Sequence, residues 1–307
     1  MNILVTGGAG FIGSHVVDAY ISDGHDVVVI DDLSSGVKEN VNPNAEFHQL
    51  DIRSADVEKV FRRHKIDVVN HHAAQMDVRR SVSDPKFDAS VNVLGGLNIF
   101  EAARQNGVKK IIFSSTGGAI YGEQDYFPAD EEHPVRPLSP YGITKLVTEK
   151  YLFYYKEVHG IEHVVLRYAN IYGPRQNPHG EAGVVAIFAK KMLQGESPVI
   201  NGDGKQTRDY TFVGDVVKAS LLALNYPGSN IFNIGTGIET DVNELFRILR
   251  GWLGPNCAEN HGPAKQGEQR RSVISYKKIE RELGWKPLVE LSEGLRLTAE
   301  YFKKKFA

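Results

Sequence analysis

Short runs of Val, Ile and Leu recur through the first half of the chain, each closed by turn residues and followed by a longer stretch of helical period. Asn2–Val5, Asp26–Ile30, Glu46–Leu50, Asp67–His71, Lys110–Ser114 and Glu162–Arg167 read as strands. Several are apolar throughout rather than alternating, the pattern of strands covered by helices on both faces. Between the first two, Ile12, Val16 and Tyr20 fall on one side of a helix, and Gly24 stands where that helix should stop. Strands alternating with helices predict an α/β fold with a doubly wound parallel sheet.

From about Tyr172 the rhythm loosens. Turn clusters at 173–175, 177–180 and 201–204 separate helical stretches at 184–193, 213–224 and 242–253. They predict a smaller second domain closing over the carboxyl ends of the strands. At 307 residues the chain is long enough for about two domains. Lys plus Arg number 36 against 38 Asp plus Glu, which removes the electrostatic footprint of a nucleic-acid binder. The single Cys257 excludes an intrachain disulfide framework and any multi-cysteine metal site, and suits a reducing cytoplasm. The chain opens directly on an apolar run, with no charged export signal expected, and no stretch approaches the roughly 20 apolar residues of a membrane helix. Lys303-Lys304-Lys305 reads as a solvated helix end.

Gly7-Gly8-Ala9-Gly10-Phe11-Ile12-Gly13 stands between the first strand and the first helix. In that place Gly7 allows a sharp reversal, Gly10 lets backbone amides approach a pyrophosphate, and Gly13 lets the helix lie close to the sheet. The helix amino end adds unpaired N–H donors and positive dipole character. Asp31 ends the second strand 18 residues beyond Gly13, near the spacing at which a carboxylate accepts from an adenosine ribose. It would repel the extra phosphate of NADP, so NAD is the expected cofactor. Asp32 beside it is a further candidate cofactor contact, with turn or helix-cap chemistry as the alternative. Asp51, after the third strand, either reaches the adenine amino group or caps the next helix.

Tyr141 and Lys145 sit four residues apart on one helical face. The ammonium is expected to hold the phenol below its ordinary pKa of about 10, making a base for a secondary alcohol. Such a pair arises by chance about once in a chain of this composition, and Tyr301/Lys305 is read as a structural example. The company of Tyr141 sets it apart. The fifth strand ends in Ser114-Ser115-Thr116, placing hydroxyls at a carboxyl strand end, where open α/β sheets bind ligands. His71-His72 and His159/His163 lack a nearby ligand set and are read as structural, so no metal is expected.

The runs Thr6–His15, Ser114–Thr116, Tyr141-x-x-x-Lys145, Arg167–Arg175 and Arg208–Asp215 together resemble the extended short-chain dehydrogenase/reductases, and more narrowly the UDP-glucose (UDP-galactose) 4-epimerases. The resemblance implies a Rossmann-like NAD domain over 1–171, with a returning segment near 209–236, and a mostly nucleotide-sugar-binding region over 172–307. It implies that Tyr141 takes the proton of the sugar's 4-hydroxyl while the C4 hydride passes to a tightly held NAD and returns on the other face. Lys145 would bond the nicotinamide ribose. Thr116 matches the family's active hydroxyl, with Ser115 its alternative because Gly117-Gly118 lengthens the loop. Phe11, Ile12, Ile52, Ala73, Ala74, Gln75, Asn92, Ser114 and Tyr168 would complete the cofactor site.

On the substrate side the same resemblance points to Asn170 and Arg208 at the diphosphate-sugar. Lys265, ahead of Gly267-Glu268, stands where the family has a second arginine; Arg270 or Arg271 could supply the missing fork, or Lys265 could act as a point charge. Ser272 stands where a bulky tyrosine crowds the sugar's C2 substituent, so N-acetylhexosamine nucleotides are expected to fit. Gly117-Gly118 replaces the acidic pair of the family's 4,6-dehydratases, the loop has no glutamate of the decarboxylase kind, and Cys257 lies far from the motifs. A homodimer is expected by family. A net nucleotide-sugar oxidoreductase and a non-catalytic NAD-sensing scaffold are the competing classes.

Overall fold

The computed structural model describes residues 1–178, 183–265 and 269–306. Among the described residues fourteen strands carry it: β1 (Asn2–Thr6), β2 (Asp26–Asp31), β3 (Glu46–Gln49), β4 (Val68–His71), β5 (Lys110–Thr116), β6 (Glu162–Tyr168) and β7 (Asn170–Tyr172) in the first part. They continue with β8 (Val199–Asn201), β9 (Thr207–Arg208), β10 (Tyr210–Phe212), β11 (Asn230–Ile234), β12 (Thr240–Asp241), β13 (Asn260–Gly262) and β14 (Arg271–Ser272). Seven of them form one parallel sheet in the order β11-β6-β5-β4-β1-β2-β3. Parallel neighbours need crossovers, and helices supply them on both faces.

Each apolar run divides its side chains between two cores, which is why the strands read as continuous rather than alternating. Ile3, Val5, Val27 and Val29 face Val16, Val17 and Tyr20 of helix Phe11–Ser22 and Val216, Ala219 and Ala223 of helix Val213–Asn225. Leu4, Val28 and Ile30 face Phe61, Ile99, Phe100, Leu152 and Tyr155, from helices Val57–His64, Gly96–Gln105 and Pro140–His159. A third core, around Phe188, Phe246, Leu249 and Phe302, joins helices Val184–Leu193, Val242–Leu253 and Leu291–Phe306. Small strands surround it, with β14 and β12 flanking β9.

Helix Phe11–Ser22 ends before Gly24, which takes φ +83°. Asp51 does not cap the following helix: that helix begins only at Val57, with Asp56 at the cap position, and the Asp51 carboxylate is held by the Arg53 guanidinium instead. The predicted turn at 177–180 is described only for Asn177 and Pro178; His179 and Gly180, like Gly267 and Glu268, lie outside the described residues. Among the described residues no helix is long and apolar enough to cross a membrane.

Candidate active site

The carboxyl ends of β1, β4, β5 and β6 meet in one place, because parallel strands all end on the same rim. β1 runs into Gly7, held at φ +73°, where a Cβ would lie 2.7 Å from the Ala73 amide nitrogen and 2.9 Å from the His72 carbonyl carbon. Both the sign of φ and the approach of the β4 loop require glycine here. Gly10 heads helix Phe11–Ser22 with no side-chain cap, so the first-turn N–H groups depend on a ligand or water. A Cβ on Gly13 would lie 2.2 Å from the Gly7 carbonyl oxygen, so its absence lets the helix start sit directly on the turn.

Alanine normally favours a helix over glycine by about 1 kcal/mol. Here that sign reverses, because the new methyl meets backbone that cannot move aside. Gly13→Ala is expected to purify without bound dinucleotide and with a lowered Tm. Absorbance of the extracted cofactor and a thermal melt check both.

Asp31 ends β2 with its carboxylate accepting from the Ala9 N–H at 3.0 Å and the Leu33 N–H at 2.8 Å. Burial pushes this carboxyl above the ordinary carboxylate range, and those amides pull it back. Each oxygen keeps acceptor capacity for a sugar hydroxyl. Asp32 is exposed and closes a turn onto the Ser34 N–H. The Arg53 guanidinium holds Asp51 below its ordinary range. Ile52 packs into the core, and its carbonyl accepts from Asn98 Nδ2 at 2.7 Å.

The loop after β4 carries Ala73, Ala74 and Gln75, and it is anchored by a residue the sequence reading passed over. Asp88 is fully buried. Its Oδ1 accepts from Gln75 Nε2 at 2.8 Å and Asn92 Nδ2 at 3.1 Å, and its Oδ2 accepts from Thr144 Oγ1 at 2.8 Å. Asn92, in the π-helical turn Ser90–Gly95, also accepts from the Gln75 N–H and donates to the Gln75 carbonyl. One carboxylate thus joins the β4 loop to the turn of helix that separates Tyr141 from Lys145.

That helix starts at Pro140, with Ser139 Oγ accepting from the Gly142 N–H, and it lays Tyr141, Lys145 and Glu149 along the end of β5. Lys145 is buried; its Nζ donates to the Ser114 carbonyl at 2.8 Å, 4.8 Å from the Phe113 ring centroid and 5.9 Å from that of Tyr141. Burial pushes this ammonium down to about 8, against the supporting charges of Asp88 and Glu149. The expectation that Lys145 holds the phenol below its ordinary value is not met in the free protein. Burial pushes the Tyr141 phenol upward and the Asp88 charge adds to it, while the Lys145 proton is spent on a backbone carbonyl.

Strand alternation separates the three hydroxyls of β5. Ser115 Oγ donates to Glu149 Oε1 at 2.6 Å, inside a buried pair in which the Arg167 guanidinium grips both Glu149 oxygens at 3.1 and 2.7 Å. Ser115 is therefore committed to the interior and is corrected as an alternative active hydroxyl. Ser114 Oγ contacts His72 Nδ1 at 3.0 Å, and the His72 ring stacks on Tyr168. Thr116 is partly exposed, with Oγ1 accepting from the Ala119 N–H. A Cβ on Gly118 would lie 3.8 Å from Asn170 Oδ1 and 3.9 Å from Thr116 Oγ1, so these two polar groups flank the bare backbone of Gly118.

Register places Arg208 directly against Ser272, through the pairing of β9 with β14. The neighbouring Asp209 turns inward, where it takes the Thr236 and Gly237 N–H groups and the Thr236 hydroxyl. The other basic residues are drawn elsewhere. Arg270 forms a two-point pair with Asp203 at 2.8 Å, and it shares a separate hollow with Lys265. Arg271 pairs with Glu239 and lies over the Phe127 ring. Both forks expected as replacements for a second diphosphate arginine are thus held by carboxylates.

A glycine-lined helix start, a buried carboxylate at the second strand and a lysine–tyrosine pair at the fifth define a dinucleotide-dependent enzyme of the α/β class. The family model for the NAD dependent epimerase/dehydratase family matches residues 3–235, and the chain belongs to that family. It is 46% identical to UDP-glucose 4-epimerase of Mycolicibacterium smegmatis over 312 residues, 99% of each protein. The crystal structure of UDP-glucose 4-epimerase from Thermotoga maritima, solved with UDP-glucose, superposes with a TM-score of 0.98 at 51% identity over all of both chains. The NAD complex of the Thermus thermophilus UDP-glucose 4-epimerase gives 0.94 at 45% identity, over 99% of each chain. The cradle described above fits that cofactor: a Cβ at Gly7 or Gly13 would close it, and no side chain caps the helix that faces it.

Proposed function

We propose that this protein inverts the C4 hydroxyl of a UDP-hexose through a transient 4-keto sugar, with Tyr141 as the proton acceptor. The observation that carries this reading is the convergence on one sheet rim of the glycine cradle, the Lys145–Ser114 contact and the Thr116 and Asn170 groups beside Gly118. Bound NAD supplies the acceptor that takes and returns the sugar's C4 hydrogen. Thr116 Oγ1 holds the C4 oxygen, and Tyr141 Oη removes its proton as the C4–H bond breaks. The same oxygen returns the proton after the keto sugar has turned over. Burial and the Asp88 charge oppose ionisation of the phenol in the free protein, and in this reading the Lys145 charge offsets them once cofactor and sugar are bound.

In this reading residues 1–171, with the segment 209–236, hold the cofactor through Gly7, Gly10, Phe11, Ile12, Gly13, Asp31, the 73–75 loop, Ser114 and Tyr168. Residues 172–307 mostly hold the nucleotide sugar, with Arg208 at the diphosphate and the small, buried Ser272 leaving space at C2. The protein works in the cytosol as a homodimer. The exposed Phe153, Tyr154 and Val158 on helix Pro140–His159 support that pairing.

Incubation with UDP-galactose, UDP-N-acetylglucosamine and UDP-glucuronate, without added nucleotide, followed by chromatographic separation of C4 epimers, tests the proposal. UDP-galactose and UDP-N-acetylglucosamine should each come to equilibrium with the C4 epimer. Turnover of UDP-galactose alone would remove the argument from Ser272. A requirement for added NAD(H), with an oxidised or reduced sugar accumulating, would replace epimerisation by net redox chemistry.

A further inference from the structure

At the edge strand β3, two strands beyond β1 in the central sheet, three side chains converge. Glu46 and His48 project from one face of the strand, two residues apart, and His64 is the last residue of helix Val57–His64. Lys65, in the left-handed conformation at φ +47°, ends the helix there. His48 Nε2 lies 3.3 Å from His64 Nε2 and 3.5 Å from Glu46 Oε1, and His64 Nε2 lies 3.3 Å from the same oxygen.

Without an ion, both imidazole N–H groups can donate to the one Glu46 oxygen, at the cost of bringing the two ring nitrogens, both carrying hydrogen, to 3.3 Å from each other. A cation at the centre uses all three lone pairs at once. A tetrahedral zinc site with bonds of about 2.0–2.2 Å has ligand-to-ligand edges of about 3.3–3.6 Å, and the three distances here match one face of such a tetrahedron.

We propose that Glu46, His48 and His64 form a divalent cation site of the zinc type, with its fourth position open to water. One carboxylate and two imidazoles suit zinc or cobalt rather than calcium or magnesium, which prefer all-oxygen shells. Arg63 Nη2, 3.7 Å from Glu46 Oε1, is the competing cation, and its side chain is exposed and able to swing away. The ion would staple β3, which pairs with β2 alone in the central sheet, to the end of helix Val57–His64. Its effect is on stability, since the ligands stand on the edge strand β3 and the end of helix Val57–His64, with β2 and β1 between them and β4 to β6, whose carboxyl ends carry the reacting groups.

The experiment uses the full chain, stripped by a chelator and titrated with Co2+ and then Zn2+. Wild-type protein should bind one Co2+ with the strong visible absorption of a four-coordinate site, lose that absorption to Zn2+, and gain Tm as Zn2+ rises. His48→Gln and His64→Gln should each weaken binding by at least roughly 100-fold and abolish the rise in Tm, while epimerisation stays at the wild-type rate. Absence of saturable Co2+ binding by the wild-type chain, or wild-type affinity in both histidine variants, overturns the proposal.

Discussion

Replacing Tyr141 by phenylalanine should give a folded, NAD-loaded protein that has lost roughly two to four orders of magnitude in turnover. The substitution removes one oxygen and leaves the ring, so the contacts of helix Pro140–His159 persist. Glu149, Lys145 and Thr144 keep their hydrogen bonds, none of which uses the Tyr141 hydroxyl. What goes is the proposed proton acceptor, on the sheet rim that also carries the glycine cradle and Thr116. The check is the initial rate of UDP-galactose consumption by the variant, alongside absorbance of the extracted dinucleotide and a thermal melt. A variant within a few-fold of wild-type rate would move the acceptor role away from this residue.

The second large effect is on stability. Glu149→Leu and Arg167→Leu should each cost about 3–5 kcal/mol, because each leaves its partner as an uncompensated charge in the interior. Both side chains are at most 5% exposed. The Arg167 guanidinium also donates to Tyr121 Oη and lies against that ring, and Glu149 also accepts from Ser115, so removing either residue orphans further polar groups. Against a total of about 5–15 kcal/mol for a typical protein, the loss is a large fraction. The double variant should cost much less than the two single ones together, since a buried ion pair replaced by apolar groups is often near neutral. Urea unfolding of the four proteins measures the cycle. Single variants within about 1 kcal/mol of wild type would contradict it.

Glu149 was within reach of the sequence. It continues the spacing of Tyr141 and Lys145 by one more helical turn, so the three had to share a face. Its arginine partner was not foreseeable, because Arg167 comes from β6 and meets Glu149 only when that strand lies beside β5. Asp88 shows the same limit more sharply. Nothing in its surroundings along the chain distinguishes it from an exposed helix aspartate, yet it sits where the β4 loop, the π-helical turn and helix Pro140–His159 close together. Ser115 was misjudged for a local reason: β5 runs two residues further than the apolar pattern indicates, and its alternation turns Ser115 inward and Thr116 outward.

The chain's own pattern decides the architecture. Unbroken apolar runs separated by helical periods permit a parallel sheet covered on both sides, and glycine at 7, 10 and 13 permits one tight turn against a helix start. These are consequences of side-chain size and period, properties that a residue carries wherever it lies. Which groups are charged, desolvated or shared is decided by neighbours brought from far along the sequence. The upward push on Tyr141, the pairing of Arg270 with Asp203 and the meeting of His64 with Glu46 and His48 all arise this way, because electrostatic and hydrogen-bond energies depend on distances of a few ångströms that only the packed chain sets.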